Sequence, residues 1–400
     1  MKAIPDPELN LLLSCVRTAW NPNESERLRR LLAARIDWPR CQRLAATHRV
    51  AALAYRCLHG LRDERIPATV LADLHRHFLA NIQFNMLLSM ELDAILKSFQ
   101  AQGILAIPFK GLVLAGELYD PPELRPSGDL DMIVAPEQVD KAMNLLTEQG
   151  FRSELDALGL NTAQIKAYRK VSHGFHFLHE ERRVNLDLHW NFANRFQDLP
   201  LSFQRIAHNR RTLVAPPYEF PTLAPQDMIQ YLCYHGQENH WTQLTWISDI
   251  AGFLQRHRDL DWNAILEESA SLNNRRRLML GLWITHELLD SPLPDAVRSR
   301  LDERRRIPAQ AGLIYDGLLR RARQSDQTSR RSRLADIYLL IRLAPGWRGK
   351  LRAILEPVYW PRPADFLAMP LPVPLFPLYF LLRPLRLIGK YCSALWSGGK

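Results

Sequence analysis

Apolar residues recur at three- and four-residue spacing through the first hundred positions, as in Leu71, Leu74, Phe78, Ile82 and Met86. That is the period of a helix with one buried face, so Pro7 to about Gln102 reads as helical. The period changes at Ile104-Leu105-Ala106-Ile107, a short apolar run closed by Pro108 that predicts a buried strand. A helix over 111–118, a loop over 119–128 with three prolines, a strand over 129–134 and a helix over 136–149 closed by Gly150 follow. Two further runs, 174–178 and 183–190, flank the charged tetrad His179-Glu180-Glu181-Arg182 and read as a hairpin. After Pro200 the helical period returns and continues to Leu343. The expected organisation is a helical region over 1–100, an α/β core over 101–200, a helical domain over 201–345 and a Pro-rich, apolar and basic tail over 346–400.

Composition narrows this picture. The 400 residues are 47% hydrophobic and 24% charged, a globular balance that excludes a disordered or collagen-like chain. Five scattered cysteines, with no CxxC pair, argue against a disulfide framework and a zinc knuckle. They fit a reducing cytoplasm, and the opening residues lack the basic start and apolar centre of a secretion signal. The expected location is cytoplasmic, with the tail offering peripheral contact to the inner membrane.

The net charge of +10 is uneven. Residues 297–400 hold 20 Lys and Arg against 7 Asp and Glu, or +13, which leaves −3 before them. The clusters Arg304-Arg305-Arg306, Arg320-Arg321 and Arg330-Arg331 have no interleaved aromatics, so they read as solvated helix faces and give no strong nucleic-acid signature. Between Glu356 and Pro384 stand eight prolines, and no apolar run there reaches the ~20 residues of a membrane span. Leu375 to Ile388, with Arg383, Arg386 and Lys390, fits either a strap on the protein's own core or a segment lying on an anionic membrane.

Candidate chemistry concentrates in Lys110-Gly111, Arg125 and Gly128-Asp129-Leu130-Asp131. In an extended strand alternate side chains share a face, so Asp129 and Asp131 point one way and Leu130 and Met132 the other. Paired carboxylates repel unless a cation neutralises them, and hard oxygen ligands suit Mg²⁺ or Mn²⁺. In Val184-Asn185-Leu186-Asp187-Leu188-His189 the same alternation aligns Asp187 with His189, offering a third acid. Each has a plainer reading too. Asp187 fits an outward acid beside Arg183, Lys110 a surface lysine, and His189 a structural histidine. Arg125 fits either a phosphate contact or a counter-charge for the acids.

With these residues in place, the sequence resembles the nucleotidyltransferases of the DNA polymerase β-like superfamily, and more closely a bacterial group of uncharacterised nucleotidyltransferase family proteins. The resemblance spans roughly 100–290 and also takes in Leu118-Tyr119, Val134, Trp190, His235, His240, Trp241, Asp249 and Asp261-Trp262. It implies an α+β fold, a small mixed sheet with helices, flanked here by helical regions. It further implies metal-binding acids at Asp129 and Asp131, with Asp187 as the third. Lys110, Gly111, Arg125, Gly128 and His189 would surround the nucleotide. The superfamily's Gly-Ser before the acid pair is replaced by Lys110-Gly111-Leu112, so the serine contact to phosphate is absent.

The expected activity is Mg²⁺- or Mn²⁺-dependent transfer of a nucleoside monophosphate from an NTP to a hydroxyl of an unknown acceptor. The alternative keeps the fold without turnover. It is an accessory or binding protein in surface-polysaccharide or peptide-product assembly, associated with a membrane through its tail.

Overall fold

A computed structural model describes residues 6–17, 22–193, 199, 201–301, 311–318, 341–342, 346–369 and 371–397. The three arginine clusters lie outside the described residues. The N-terminal region folds as α1 (Pro7–Cys15), α2 (Pro22–Leu31), α3 (Trp38–Thr47), α4 (Ala51–Leu61) and the 34-residue α5 (Ala68–Ala101). Asp6 and Asp37 cap α1 and α3, each accepting a backbone N–H two residues into its helix. Along α5 the buried face drifts from Val70 and Leu74 to Leu88, Leu92, Ile95 and Phe99, leaving Met86 61% exposed. The drift lets one helix serve two apolar clusters, the first with its N-terminal half and the second with its C-terminal half.

The sheet comprises β1 (Ala106–Pro108), β2 (Leu130–Val134), β3 (Arg152–Ser153), β4 (Gly174–His179) and β5 (Val184–His189), in the order β1-β2-β5-β4-β3. β4 and β5 form the expected antiparallel pair, while β2 and β5 run parallel at the centre. The intervening chain supplies α6 (Leu112–Leu118), α7 (Val139–Glu148), α8 (Glu154–Ala157) and α9 (Thr162–Arg169). One face carries Leu130, Met132, Val134, Phe175, Phe177, Leu186 and Leu188, all buried in the second cluster against α5 and α7. The opposite face presents Asp131, Asp187, His189 and His176 toward the first cluster, where Ile107, Phe109 and Ile133 lie.

Beyond Pro200 the all-helical expectation needs correcting. After α10 (Phe203–Asn209) comes a hairpin of β6 (Arg211–Ala215) and β7 (Tyr218–Thr222) around Pro216-Pro217. Five-residue strands give too few positions for a period to show, although Leu213 and Phe220 point inward and Val214 outward. Thr222 Oγ1 donates to Pro108 O at 3.0 Å, fastening the hairpin to the end of β1. Next come α11 (Pro225–Glu238), α12 (Leu244–Arg256), α13 (Trp262–Ser271), α14 (Arg275–Leu289) and α15 (Asp295–Leu301). Trp241 is fully buried between Gly236 and Gly281, so it belongs to packing. The first apolar cluster runs from Leu9 to Leu318, so helices before and after the sheet share one core.

The tail forms α16 (Gly346–Tyr359), α17 (Pro363–Ala368) and α18 (Tyr379–Ser397). Phe366 and Tyr379 join the second cluster, and Tyr379 Oη donates to Met369 O at 2.6 Å. Arg383 and Arg386 both turn onto Asp365, which is 1% exposed. Packing against the core therefore holds for the inner side of this segment.

Candidate functional site

The Lys110-Gly111 turn leaves β1 directly behind the fully buried Phe109. Gly111 sits at φ +46°, and a Cβ there would stand 3.1 Å from Asp129 O. Only glycine accepts both the positive φ and that approach, which brings the turn against the loop entering β2. The strand begins at Leu130, so Asp129 stands just ahead of it, half-buried, while Asp131 lies within it at 4% exposure.

Strand register then assembles the chemistry. Asp131 is the parallel partner of Asp187, and His176 is the antiparallel partner of Asp187. Ligand-capable atoms of Asp131, Asp187 and His189 all lie within 4.8 Å of one another. Two carboxylates and an imidazole are a suitable donor set for a divalent cation. The close group thus contains both of the strand acids and His189, while Asp129 stands outside it.

Each member is oriented by neighbours. Lys110 Nζ donates to Asp131 Oδ1 at 2.6 Å, and His189 Nε2 lies 3.4 Å from the same oxygen. His176 Nδ1 is 2.9 Å from Asp187 Oδ1. His189 Nδ1 is buried and has no hydrogen-bond partner among the described residues. A Cβ on Gly174 would lie 2.8 Å from that nitrogen, so glycine opposite His189 is what leaves the imidazole its place. Gly174→Ala is therefore expected to displace His189 and to destabilise the protein by about 1–3 kcal/mol through overpacking. Thermal melting, together with the NMR shifts of the His189 ring, checks this.

Electrostatics separates the two acids of the Gly-Asp-x-Asp segment. Burial, then the neighbouring Asp131 charge, raises Asp129 to about 6. Burial acts to raise Asp131 as well, but the Lys110 ammonium and His189 outweigh it and hold that carboxyl well below the usual range. Lys110 loses hydration on burial, yet Asp131 keeps it firmly protonated, and its ammonium lies 5.5 Å from the Phe109 ring centroid and 5.8 Å from that of Tyr231.

Arg125 is committed elsewhere. Its Nε and Nη2 donate to Asp249 at 2.8 and 2.9 Å, and Nη1 donates to Gly111 O at 3.0 Å. Tyr119 Oη supports Asp249 at 2.8 Å. Asn85 on α5 joins the same loop, donating to Arg125 O at 3.1 Å and accepting from Ser127 N at 3.2 Å. Arg125 thus ties the Gly111 turn to α12.

An open cleft of about 170 Å³ is lined among others by Lys110, Asp129, Asp131, His235, Trp246 and Arg49, while Asp187 and His189 lie outside its lining. Arg49 comes from the turn between α3 and α4 and was not indicated by the sequence pattern. Its guanidinium lies over Gly128, where a Cβ would meet Nη2 at 3.1 Å, and it donates to Pro126 O at 3.4 Å. Among the described residues no carboxylate forms an ion pair with it, and burial, then the Arg125 charge, lowers its pKa. His235, stacked on Tyr231, is pulled down to about 3 by burial and by Lys110, so it faces the cleft as a neutral imidazole.

The model of a family described as uncharacterised nucleotidyltransferase matches residues 34–290, a span that includes Arg49, the five-stranded sheet and α11 to α14. No curated protein matches the chain significantly. With well over half of its length matched, the chain belongs to the uncharacterised nucleotidyltransferase family.

Proposed function

We propose that the protein transfers a nucleoside monophosphate from an NTP to a hydroxyl group of an acceptor. The observation that carries this reading is the meeting of Asp131, Asp187 and His189 beside a cleft that also holds Lys110 and Arg49. Asp131 and Asp187, with His189 or Asp129 completing the set, would hold Mg²⁺ or Mn²⁺. When bound, such an ion supplies Lewis acidity toward phosphoryl oxygens.

The chain's own residues have distinct parts in the reaction. The acceptor oxygen bonds to the α-phosphorus, the bond from that phosphorus to the bridging oxygen breaks, and pyrophosphate leaves. The acceptor's proton passes to Asp187, whose carboxylate is half-exposed and hydrogen-bonded to His176. Arg49, which forms no ion pair with a carboxylate among the described residues, meets the triphosphate as a planar donor, taking over the phosphate contact that the absent serine would have made. Arg49→Met is expected to weaken NTP binding about tenfold or more while leaving binding of the bare nucleoside unchanged, as read by titration calorimetry.

Calorimetric titration of each NTP into the wild-type protein tests the reading. Binding that requires Mg²⁺ or Mn²⁺ supports it. Silence with every NTP in the presence of either ion overturns it and leaves the accessory-protein alternative.

A further inference from the structure

Of the seventeen large apolar side chains that are exposed among the described residues, twelve fall between residues 347 and 388. On α16, Trp347, Leu351, Ile354, Leu355 and Val358 recur at helical spacing and form one outward stripe, with Trp347 70% exposed. On α18, Leu381, Leu385 and Ile388 do the same at 65%, 64% and 59%. The two helices pack on each other, while Phe366 and Tyr379 hold the inner side to the core. The other five exposed large apolar side chains among the described residues are spread over α5, β4 and β6 and show no such concentration.

We propose that this outer face of α16 and α18 docks on an anionic lipid surface, lying in the interface rather than crossing it. No helix among the described residues is long and apolar enough to cross a membrane. Charge selects the occupant. Between residues 346 and 397 the sequence holds seven Lys and Arg and two acids. Lys350 and Arg362 are exposed, whereas Asp365 is buried under Arg383 and Arg386, and Glu356 is half-buried. Lys350 sits within α16 and Arg362 just beyond its end, so the exposed charges described next to the apolar stripe are cationic. A second copy of the chain would press two basic edges together, whereas anionic headgroups complement them. Trp347 and Tyr359, at opposite ends of the α16 stripe, have the amphipathic rings that favour the headgroup layer.

Flotation of the full chain with vesicles of phosphatidylcholine, with and without phosphatidylglycerol, tests the proposal. The wild type is expected to float with the anionic vesicles and to be released as salt rises from about 0.1 to about 0.5 M. Leu381→Glu with Leu385→Glu is expected to cut that binding about tenfold or more without shifting the melting temperature, since both side chains face solvent. Lys350→Glu with Arg362→Glu is expected to remove the preference for anionic lipid by a route that leaves the apolar face untouched. Failure of the wild type to float with anionic vesicles overturns the proposal. So does equal flotation of the wild type and the Leu381→Glu/Leu385→Glu variant. A wild-type dimer that this variant splits, with no vesicle binding by either, overturns it in favour of self-association.

Discussion

Replacing Asp131 by asparagine is expected to destabilise the metal-free protein by about 3–5 kcal/mol, whereas the same change two residues earlier, at Asp129, is expected to stabilise it at neutral pH by about 2 kcal/mol. The opposite signs come from what each carboxylate faces. Asp131 is the partner of Lys110, whose side chain is only 19% exposed, and its loss strands a buried ammonium. Asp129 is driven up to about 6 by burial and by Asp131. A raised folded-state pKa means the folded chain holds the proton more tightly than the unfolded chain. The apo-protein therefore loses stability as pH rises from about 4 through about 6, and Asp129→Asn abolishes that loss. The gain should vanish below pH 4, where Asp129 is protonated in both states. Asp131 has the reverse linkage. Its depressed pKa contributes stability above the ordinary carboxylate range, and that contribution is lost as the solution is acidified. Urea melts of both variants across pH 4–8 read the signs directly. Adding Lys110→Met to Asp131→Asn should recover most of the loss, because the unpaired charge goes with it. Equal destabilisation by the two single substitutions would contradict this electrostatic division.

The close group around Asp131 was legible because period-two alternation reaches it from both sides. Leu130 and Met132 on one strand, and Leu186 and Leu188 on the other, are apolar positions whose burial forces the intervening acids onto the opposite face. The parallel register that sets Asp131 beside Asp187 is not visible in either segment, since it depends on how α7, β3, α8, α9 and β4 fill the crossover. His189 carries two readings in the sequence, a structural histidine and a residue beside the nucleotide, because the room for it is made by Gly174 on another strand. Arg49 lies about 60 residues before the Lys110 turn, inside a region whose only periodic signal is helical. Its place over Gly128 follows from the packing of α3 and α4 beside the first cluster. Arg125 shows the converse. Its neighbourhood was legible, but its partner Asp249 lies 124 residues away, and that pairing makes it a brace for the Gly111 turn. Short-range patterns thus located the acids, while the place of Arg49 at the cleft is a tertiary feature.

Asp187→Asn is expected to give the largest functional loss for the least structural disturbance. The Asp187 carboxylate is 32% exposed and its hydrogen bond to His176 is half-exposed, so its removal strands no buried charge and should change apo stability by less than about 1 kcal/mol. Its oxygen is nevertheless one of three ligand-capable atoms within 4.8 Å. Removing a hard anionic ligand from so small a set should weaken divalent-cation binding by about two orders of magnitude. Nucleotide binding through that ion should weaken with it. At ligand about 100 times its dissociation constant the wild type gains about 2.7 kcal/mol of stability. A hundredfold loss of affinity at the same concentration reduces that gain to about 0.4 kcal/mol. The measurement is a thermal melt of both proteins with Mn²⁺ plus NTP and with Mn²⁺ alone, paired with Mn²⁺ paramagnetic resonance to count bound ion directly. A ligand-induced shift in the variant as large as in the wild type would remove Asp187 from the site, and with it the proton acceptor assigned to the reaction. A loss confined to metal-dependent binding, over an unchanged apo melt, would place the oxygen of Asp187 in the ion's coordination shell.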